Sequence, residues 1–534
     1  MKTNPFIPLV LSTLSFVASA QSPLAQWHHL DPQTDSVMGI STDRAYRELL
    51  TGRKPTPIVI ADMGTVAIDH EDLTRVIWTN PKEVPGNGND DDHNGYADDV
   101  HGWNFVGNKN GETLPHDTFE ETRIVAKLRP RYDGKTRAAI PAAQRAEYDY
   151  YQRAKTVFDK RVGEFSNRYQ NLLRTQTQLT TAIATLKKSL ALTRLDSALL
   201  HHPTTTDTTL LRLATMLYQP MARMGYADAD DALTGLNEAV RKDKDGLDYG
   251  LNLTYDARSV VGDNPNDLTE RHYGNADIVG KSNRHGTHTT GIMAADRQNS
   301  LGVRGITDAV RVMVISSAAD NDERDKDVAN SIRYAVDNGA KVINMSFGKE
   351  FSPDRQVVDA AIRYADTKGV LLIHSAGNSH FNLDSVAIFP AATYPDGTEM
   401  TNMITVGASA RLNNRDLPTV FSNYGKHTVD VFAPGAGILS TVPANGYEPM
   451  NGTSMAGPVV AGVAAVLKSY FPGLTPRQIK HIIMQSAKPI HTQVYRPGTK
   501  QIMDFADLSK SGGIVNLYEA VKMALTEERT TSRR

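Results

Sequence analysis

The chain is 534 residues long, carries a formal net charge of −2 and contains no cysteine. At roughly 150 residues per domain this is enough for two or three units, and the near-neutral balance leaves no basic footprint for a nucleic-acid partner. Without cysteine there can be no disulfide, thiolate metal site or cysteine nucleophile, so ions held by oxygen ligands become the available staple for an exported chain.

The N-terminus, MKTNPFIPLVLSTLSFVASAQ, sets Lys2 before an apolar run from about Phe6 to Val17 and closes on Ala18-Ser19-Ala20. This is the pattern of a secretory signal peptide cut after residue 20, and the chain is expected to be secreted or periplasmic. The apolar run is too short for an anchor, and no later segment is long and apolar enough to span a bilayer. The expected organisation is a signal peptide at 1–20, an N-terminal segment at 21–55, a first catalytic part at 56–107, a helical insertion at 108–249, a second catalytic part at 250–525 and a polar tail at 526–534.

Residues 56–62, TPIVIAD, form a short β-branched run ending in an acid, as in a buried parallel strand that delivers a side chain at its carboxyl end. The acidic stretch DDDHNGYADDVH, residues 90–101, then places Asp90, Asp92 and Asn94 at positions 1, 3 and 5 of an EF-hand-like loop, Gly95 at 6, Tyr96 at 7 and Asp98 at 9. Those are oxygen-ligand positions for calcium, Tyr96 through its carbonyl, with glycine making the sharp turn. His101 at position 12 cannot supply the usual bidentate carboxylate, so a further ligand has to come from Asp99 or water. The alternative is a solvated turn rich in Asp and Asn.

Residues 108–249 look different. From Phe158, the positions Val162, Phe165, Tyr169, Leu172, Leu179, Ile183, Leu186 and Leu190 keep a 4-3 alternation interrupted by Gln176. Such a stripe predicts a long helix in a coiled-coil hairpin, either decoration or a lid or docking arm. A second polar cluster at 262–277 is a further candidate ion site. Beyond it, strand-like runs recur at 310–316, 341–347, 369–378, 403–409 and 429–435, with helix-like segments at 327–339 and 355–369 that each close on glycine. The alternation predicts an α/β fold, a doubly wound and mostly parallel sheet whose ligands lie at the carboxyl ends of the strands.

Four polar residues fall where such a sheet would converge them. Asp62 ends the first strand; His285, in NRHGTHTTGIMAA, opens an apolar helix; Asn378, in HSAGN, ends a further strand; Ser454, in NGTSMAGPVV, stands at the mouth of another helix. Serine catalysis needs a base to take the hydroxyl proton and an acid to hold that base as the correct tautomer. Each residue also has an ordinary reading: a helix cap for Thr453 or Ser454, a cap or metal ligand for Asp62, a shared ion for His285 and His288, a turn for Asn378.

The stretches IVIADMG with DHEDL, HGTHTTG, VINMSFG, SAGN and NGTSMAGP, spread over residues 58–470, resemble those of the subtilisin-like serine proteases, or subtilases. The resemblance implies an endopeptidase working through an acyl-enzyme, with Asp62 orienting, His285 as general base, Ser454 as nucleophile and the Asn378 amide as oxyanion donor. It implies further that Ser346-Phe347-Gly348 and Ser375-Ala376-Gly377 line the cleft and pair with an extended polypeptide substrate. Two departures stand out. Met63 replaces the Ser or Thr that the family carries after the acid, and the short run between Gln21 and Asp62 leaves little room for the family's long inhibitory propeptide. A pseudoprotease that only binds peptides, a peptide ligase and a structural calcium-binding protein remain as alternatives.

Overall fold

β-branched runs bury well on both faces of a parallel sheet, and the computed structural model, which describes residues 23–224, 226–280 and 283–531, assembles them in this way. Strands β1 (Ile58–Met63), β2 (Gly102–Asn104), β3 (Val310–Ser316), β4 (Ala340–Met345), β5 (Leu371–Ser375), β6 (Met403–Ser409) and β7 (Val431–Pro434) form one seven-stranded sheet in the order β2-β3-β1-β4-β5-β6-β7. All of its pairings are parallel. The chain builds outward from β1 in one direction with β2 and β3, then returns to start β4 on the other side. The carboxyl ends of β1 and β4 therefore flank a topological switch point, where open α/β sheets bind ligands. A hairpin of β8 (Ile438–Val442) and β9 (Gly446–Met450) stands beside the sheet. The expected signal peptide lies outside the described residues.

The expected insertion is helical. It holds α1 (Glu120–Tyr132), α2 (Arg145–Ser189), α3 (Thr208–Met224) and α4 (Ala229–Asp245). Helix α2 runs 45 residues, about 65–70 Å at 1.5 Å per residue. It starts well before Phe158 because Tyr148, Tyr151 and Ala154 form an extra apolar face that packs on Ile124, Leu128 and Tyr132 of α1. Towards its far end Ile183 and Leu186 bury against Leu217 and Met221 of α3. Helix α4 returns antiparallel along α2, tied by Lys187 to Asp230, Gln176 to Asn237 and Arg168 to Asp243. Gln176, the break in the apolar stripe, thus has a polar partner at 2.7 Å.

Helices of the sheet domain follow: α5 (Arg284–Ala294), α6 (Asp325–Asp337), α7 (Arg355–Thr367) and α8 (Thr453–Tyr470). Helix α8 is apolar all round and buried in the main core, as expected of a helix with no solvent face. The same core takes in Trp27, Ile40 and Leu50, so the segment before β1 is packed into the sheet domain. Among the described residues no helix is long and apolar enough to cross a membrane.

Candidate active site

Asp62 sits at the carboxyl end of β1, 1% exposed, in register with Asn344 of β4. That register aims the Asn344 amide at the carboxylate, and Nδ2 donates to Asp62 Oδ1 at 2.9 Å. Thr289 and Thr290 of α5 donate to Oδ2 at 2.8 and 2.7 Å. Burial pushes the carboxyl above its ordinary value, against these three hydrogen bonds, each of which favours the ionised form.

His285 occupies the first turn of α5. A Cβ built on the next residue, Gly286, would lie 2.2 Å from the Thr65 carbonyl oxygen, so only glycine lets the helix start against the end of β1. Among the described residues His285 makes no hydrogen bond, to Asp62, Ser454 or any other group. Its surroundings hold the imidazole below its ordinary value by desolvation, and the charge of Lys242 on α4 adds to this; the residue is still open to solvent. His288 is buried with Nε2 3.0 Å from the Glu448 carbonyl oxygen. With Nε2 against that carbonyl, His288 does not present this nitrogen to an ion shared with His285.

Ser454 is the second residue of α8, and neither it nor Thr453 caps that helix. The reason its surroundings look as they do begins with Pro458, which has no N–H to return to the Ser454 carbonyl four residues back. Ser346 fills the vacancy: its hydroxyl donates to Ser454 O at 3.2 Å, while Ser454 Oγ donates to Ser346 O at 3.2 Å. Gly457 leaves room for the neighbouring Ser375, since a Cβ there would lie 2.7 Å from Ser375 Oγ. Asn378 is oriented by Thr453, whose N–H and hydroxyl both donate to Asn378 Oδ1, at 2.9 and 3.0 Å. With its oxygen so held, the amide nitrogen is the end left for another acceptor, near the Ser454 N–H in the first turn of α8.

The predicted cleft residues follow β4 and β5. Ser346 is buried, and Phe347 and Gly348 are progressively more open; His374 Nε2 lies 2.9 Å from Phe347 O and ties the two segments together. Ser375 is buried and donates to Thr453 O at 2.8 Å, Ala376 is fully buried, and Gly377 N–H donates to Thr453 Oγ1 at 3.1 Å. Asn344, Thr289 and Thr290 were not singled out from the sequence, and Thr453 only as a possible helix cap. Asn344 faces Asp62 because the parallel pairing sets VIN beside IAD, a register the sequence alone does not fix; the threonines had no signal either.

In the acidic loop, Asp90 accepts from the N–H groups of Asn94 and Gly95, and Asp92 from Asn94 N–H and Asn80 Nδ2. One ligand oxygen each from Glu83, Asp90 and Asp92 lies within 4.8 Å of the others. Glu83, absent from the sequence-based set, is 7% exposed; its Oε1 accepts from the N–H groups of Asp91 and Asp92, and its Oε2 is buried without a partner. Asp98 departs from the expected set. In a left-handed conformation, φ +57°, it turns back to accept from Gly86, Asn87 and Gly88 N–H. Asn94 spends Oδ1 on Tyr96 N–H, and the Tyr96 hydroxyl donates to Arg271 O. Three carboxylates with one orphaned buried oxygen fit a hard cation. The 262–277 cluster is otherwise employed: Asp263 and Glu270 both bind the Lys326 ammonium, at 2.7 Å.

The subtilase family profile matches residues 188–513, a span that includes His285, Asn378 and Ser454 and begins after Asp62. The thermophilic serine proteinase of Bacillus sp. (strain AK1) is 36% identical over 248 residues, 46% of this chain and 56% of that protein. Thermitase of Thermoactinomyces vulgaris is 35% identical over 219 residues, 39% of this chain and 68% of its own. Subtilisin BL of Lederbergia lenta is 34% identical over 218 residues, 40% and 75% respectively. The chain thus spans little more than half the length of the first of these relatives.

Proposed function

The chain belongs to the subtilase family, and from that premise we propose that it is a serine endopeptidase using Asp62, His285 and Ser454, with Asn378 as oxyanion donor. The observation that carries the reading is the side-chain path from the acid to the nucleophile. Asn344 Nδ2 donates to both Asp62 and Ser346 Oγ, and Ser346 in turn exchanges hydrogen bonds with Ser454.

In the proposed reaction the Ser454 hydroxyl leaves Ser346 O by rotation about χ1 and gives its proton to His285 as Oγ attacks the scissile carbonyl carbon. Catalytic hydrogen bonds commonly tighten only with substrate in place, so a solvent-open His285 suits a resting site. Asn378 Nδ2 and the Ser454 N–H receive the oxyanion. His285 then protonates the leaving amine, and water repeats the sequence on the acyl-enzyme. An extended polypeptide substrate would pair with the segments at 346–348 and 375–377. Export by residues 1–20 belongs to the same proposal.

Calcium is the proposed bound ion, held by Glu83, Asp90 and Asp92, with stabilisation of the 83–99 loop as its contribution. Adding calcium to chelator-treated protein should raise the melting temperature by several degrees, and Glu83→Gln should remove most of that gain. An unchanged melting curve would contradict the site.

The activity is tested by hydrolysis of an unfolded protein substrate. Ser454→Ala should abolish cleavage and Asn378→Ala should lower kcat by about 10²–10³ with little change in KM. Peptide binding by a folded wild-type chain without cleavage would instead make it a silent, peptide-binding member of the family.

A further inference from the structure

We propose that Thr289 and Thr290 are positioning residues for the acid of the site, supplying from helix α5 the hydroxyl support that Met63 cannot give. The inference rests on the reading of Asp62 as the orienting carboxylate. Met63 takes its side chain into the apolar cluster with Ala61, Met345 and Trp103, on the other face of the sheet from Asp62. The position after the acid therefore offers the carboxylate nothing. Both threonines instead place Oγ1 on Asp62 Oδ2, at 2.8 and 2.7 Å, and both are buried.

The two hydroxyls are not equivalent. A hydroxyl has one proton to donate, and a threonine in a helix ordinarily gives it to a carbonyl in the preceding turn. Thr287, in the same helix, does so, with Oγ1 2.6 Å from Asn283 O. Thr289 divides its proton between Asp62 and Gly286 O at 3.0 Å. Thr290 has Asp62 as its acceptor and departs from the helical habit altogether. Its hydroxyl is committed to the carboxylate.

Among the described residues no charged group acts on Asp62. The ionisable side chains on the elements around it are otherwise placed. Arg284 pairs with Glu448, His288 and His374 lie against the carbonyls of Glu448 and Phe347, and His285 faces Lys242. With no cation to hold it ionised in a buried site, the carboxylate depends on neutral donors. Losing one raises the pH at which Asp62 deprotonates and weakens its hold on the correct His285 tautomer.

The test is the pH dependence of kcat/KM for Thr289→Val, Thr290→Val and Thr290→Ser, each checked for folding by its melting curve. Thr290→Val should lower kcat about tenfold, by analogy with the loss of a partner that orients a metal ligand. It should move the acidic limb to higher pH and leave KM nearly unchanged. Thr289→Val should do the same to a smaller degree, and Thr290→Ser should restore both readouts. A folded Thr290→Val with unchanged kcat and limb would overturn the inference, as would a serine variant as impaired as the valine. If Thr290→Val fails to fold, Thr289→Val and Thr290→Ser decide by the same readouts.

A second readout does not need turnover. In the inactive Ser454→Ala chain, carbon-13 NMR of the Asp62 carboxyl, assigned with Asp62→Asn, should titrate at higher pH when Thr290 is valine. No change there would also overturn the inference. Absence of any Ser454-dependent cleavage in the wild type would sink the triad reading alone, which keeps the two failures apart.

Discussion

Pro458 shows how one residue shapes a site it does not line. Its missing N–H leaves the Ser454 carbonyl without a helical partner, and the Ser346 hydroxyl that compensates also receives Asn344. Ser346→Ala should therefore cost about 1–2 kcal/mol in urea unfolding, the usual range for an orphaned buried acceptor. In a Pro458→Ala background, where residue 458 can donate to Ser454 O, that cost should fall by half or more. Equal costs in the two backgrounds would show that the compensation is not real. At this scale Asp62, His285, Asn378 and Ser454 are readable because each stands at an element end in a long, ordered motif. Thr289 and Thr290 are not, since which acceptor a helical hydroxyl finds depends on how α5 is rotated against β1. The acidic loop at 83–99 divides in the same way. Spacing picks out Asp90 and Asp92, but a left-handed turn at Asp98 carries its carboxylate away and Glu83 lies upstream of the spacing pattern.

Helix α4 brings the insertion to the candidate site. Lys242 acts on His285, Glu238 and Tyr226 act on Arg284, and Arg284 pairs with Glu448. Positions 238 and 242 share one face of the helix, while Val240 and Asp243 turn towards α2. A positive charge disfavours a second one nearby, so Lys242→Glu should move the acidic limb of kcat/KM to higher pH. Because Lys242 is exposed, the difference should be modest and should shrink at high salt. A limb that does not move at low ionic strength would separate the arm from the chemistry. The arm's helical nature is legible in its apolar stripe. Its reach towards His285 is not, because no local pattern encodes the influence of the charge at position 242 on position 285. Strand β2, GWN, escaped for a simpler reason: three residues without a β-branched run give no strand signal, and pairing with β3 alone defines it.

Over the whole molecule, a buried charge network joins the base of the insertion to the sheet domain. Glu120 pairs with Arg123 and Lys349, Asp117 with Arg324, and Lys349 with Asp325. These cations hold Asp117 and Glu120 down to about 2 despite their burial. Their stabilisation is thus present above the ordinary carboxylate range and lost as pH falls towards 2. Glu323, buried with Oε1 unpartnered, is pushed by desolvation up to about 8. The sign is opposite: a raised carboxyl favours the fold below its ordinary range, and that advantage is lost as pH rises through about 8. Glu323→Gln should therefore stabilise the protein by roughly 1–3 kcal/mol at pH 8 and by much less at pH 4, read from urea unfolding at the two values. Equal effects at both would remove Glu323 as a source of alkaline sensitivity. None of this network is legible in the sequence, since its partners lie up to 229 positions apart.

The central claim is that Ser454 is a nucleophile with His285 as its base. Fluorophosphonate labelling of the purified protein, mapped by mass spectrometry, tests it most directly. One label is expected on Ser454, lost in Ser454→Ala and strongly slowed in His285→Ala. A folded chain that takes no label, or takes it on another serine, would contradict it.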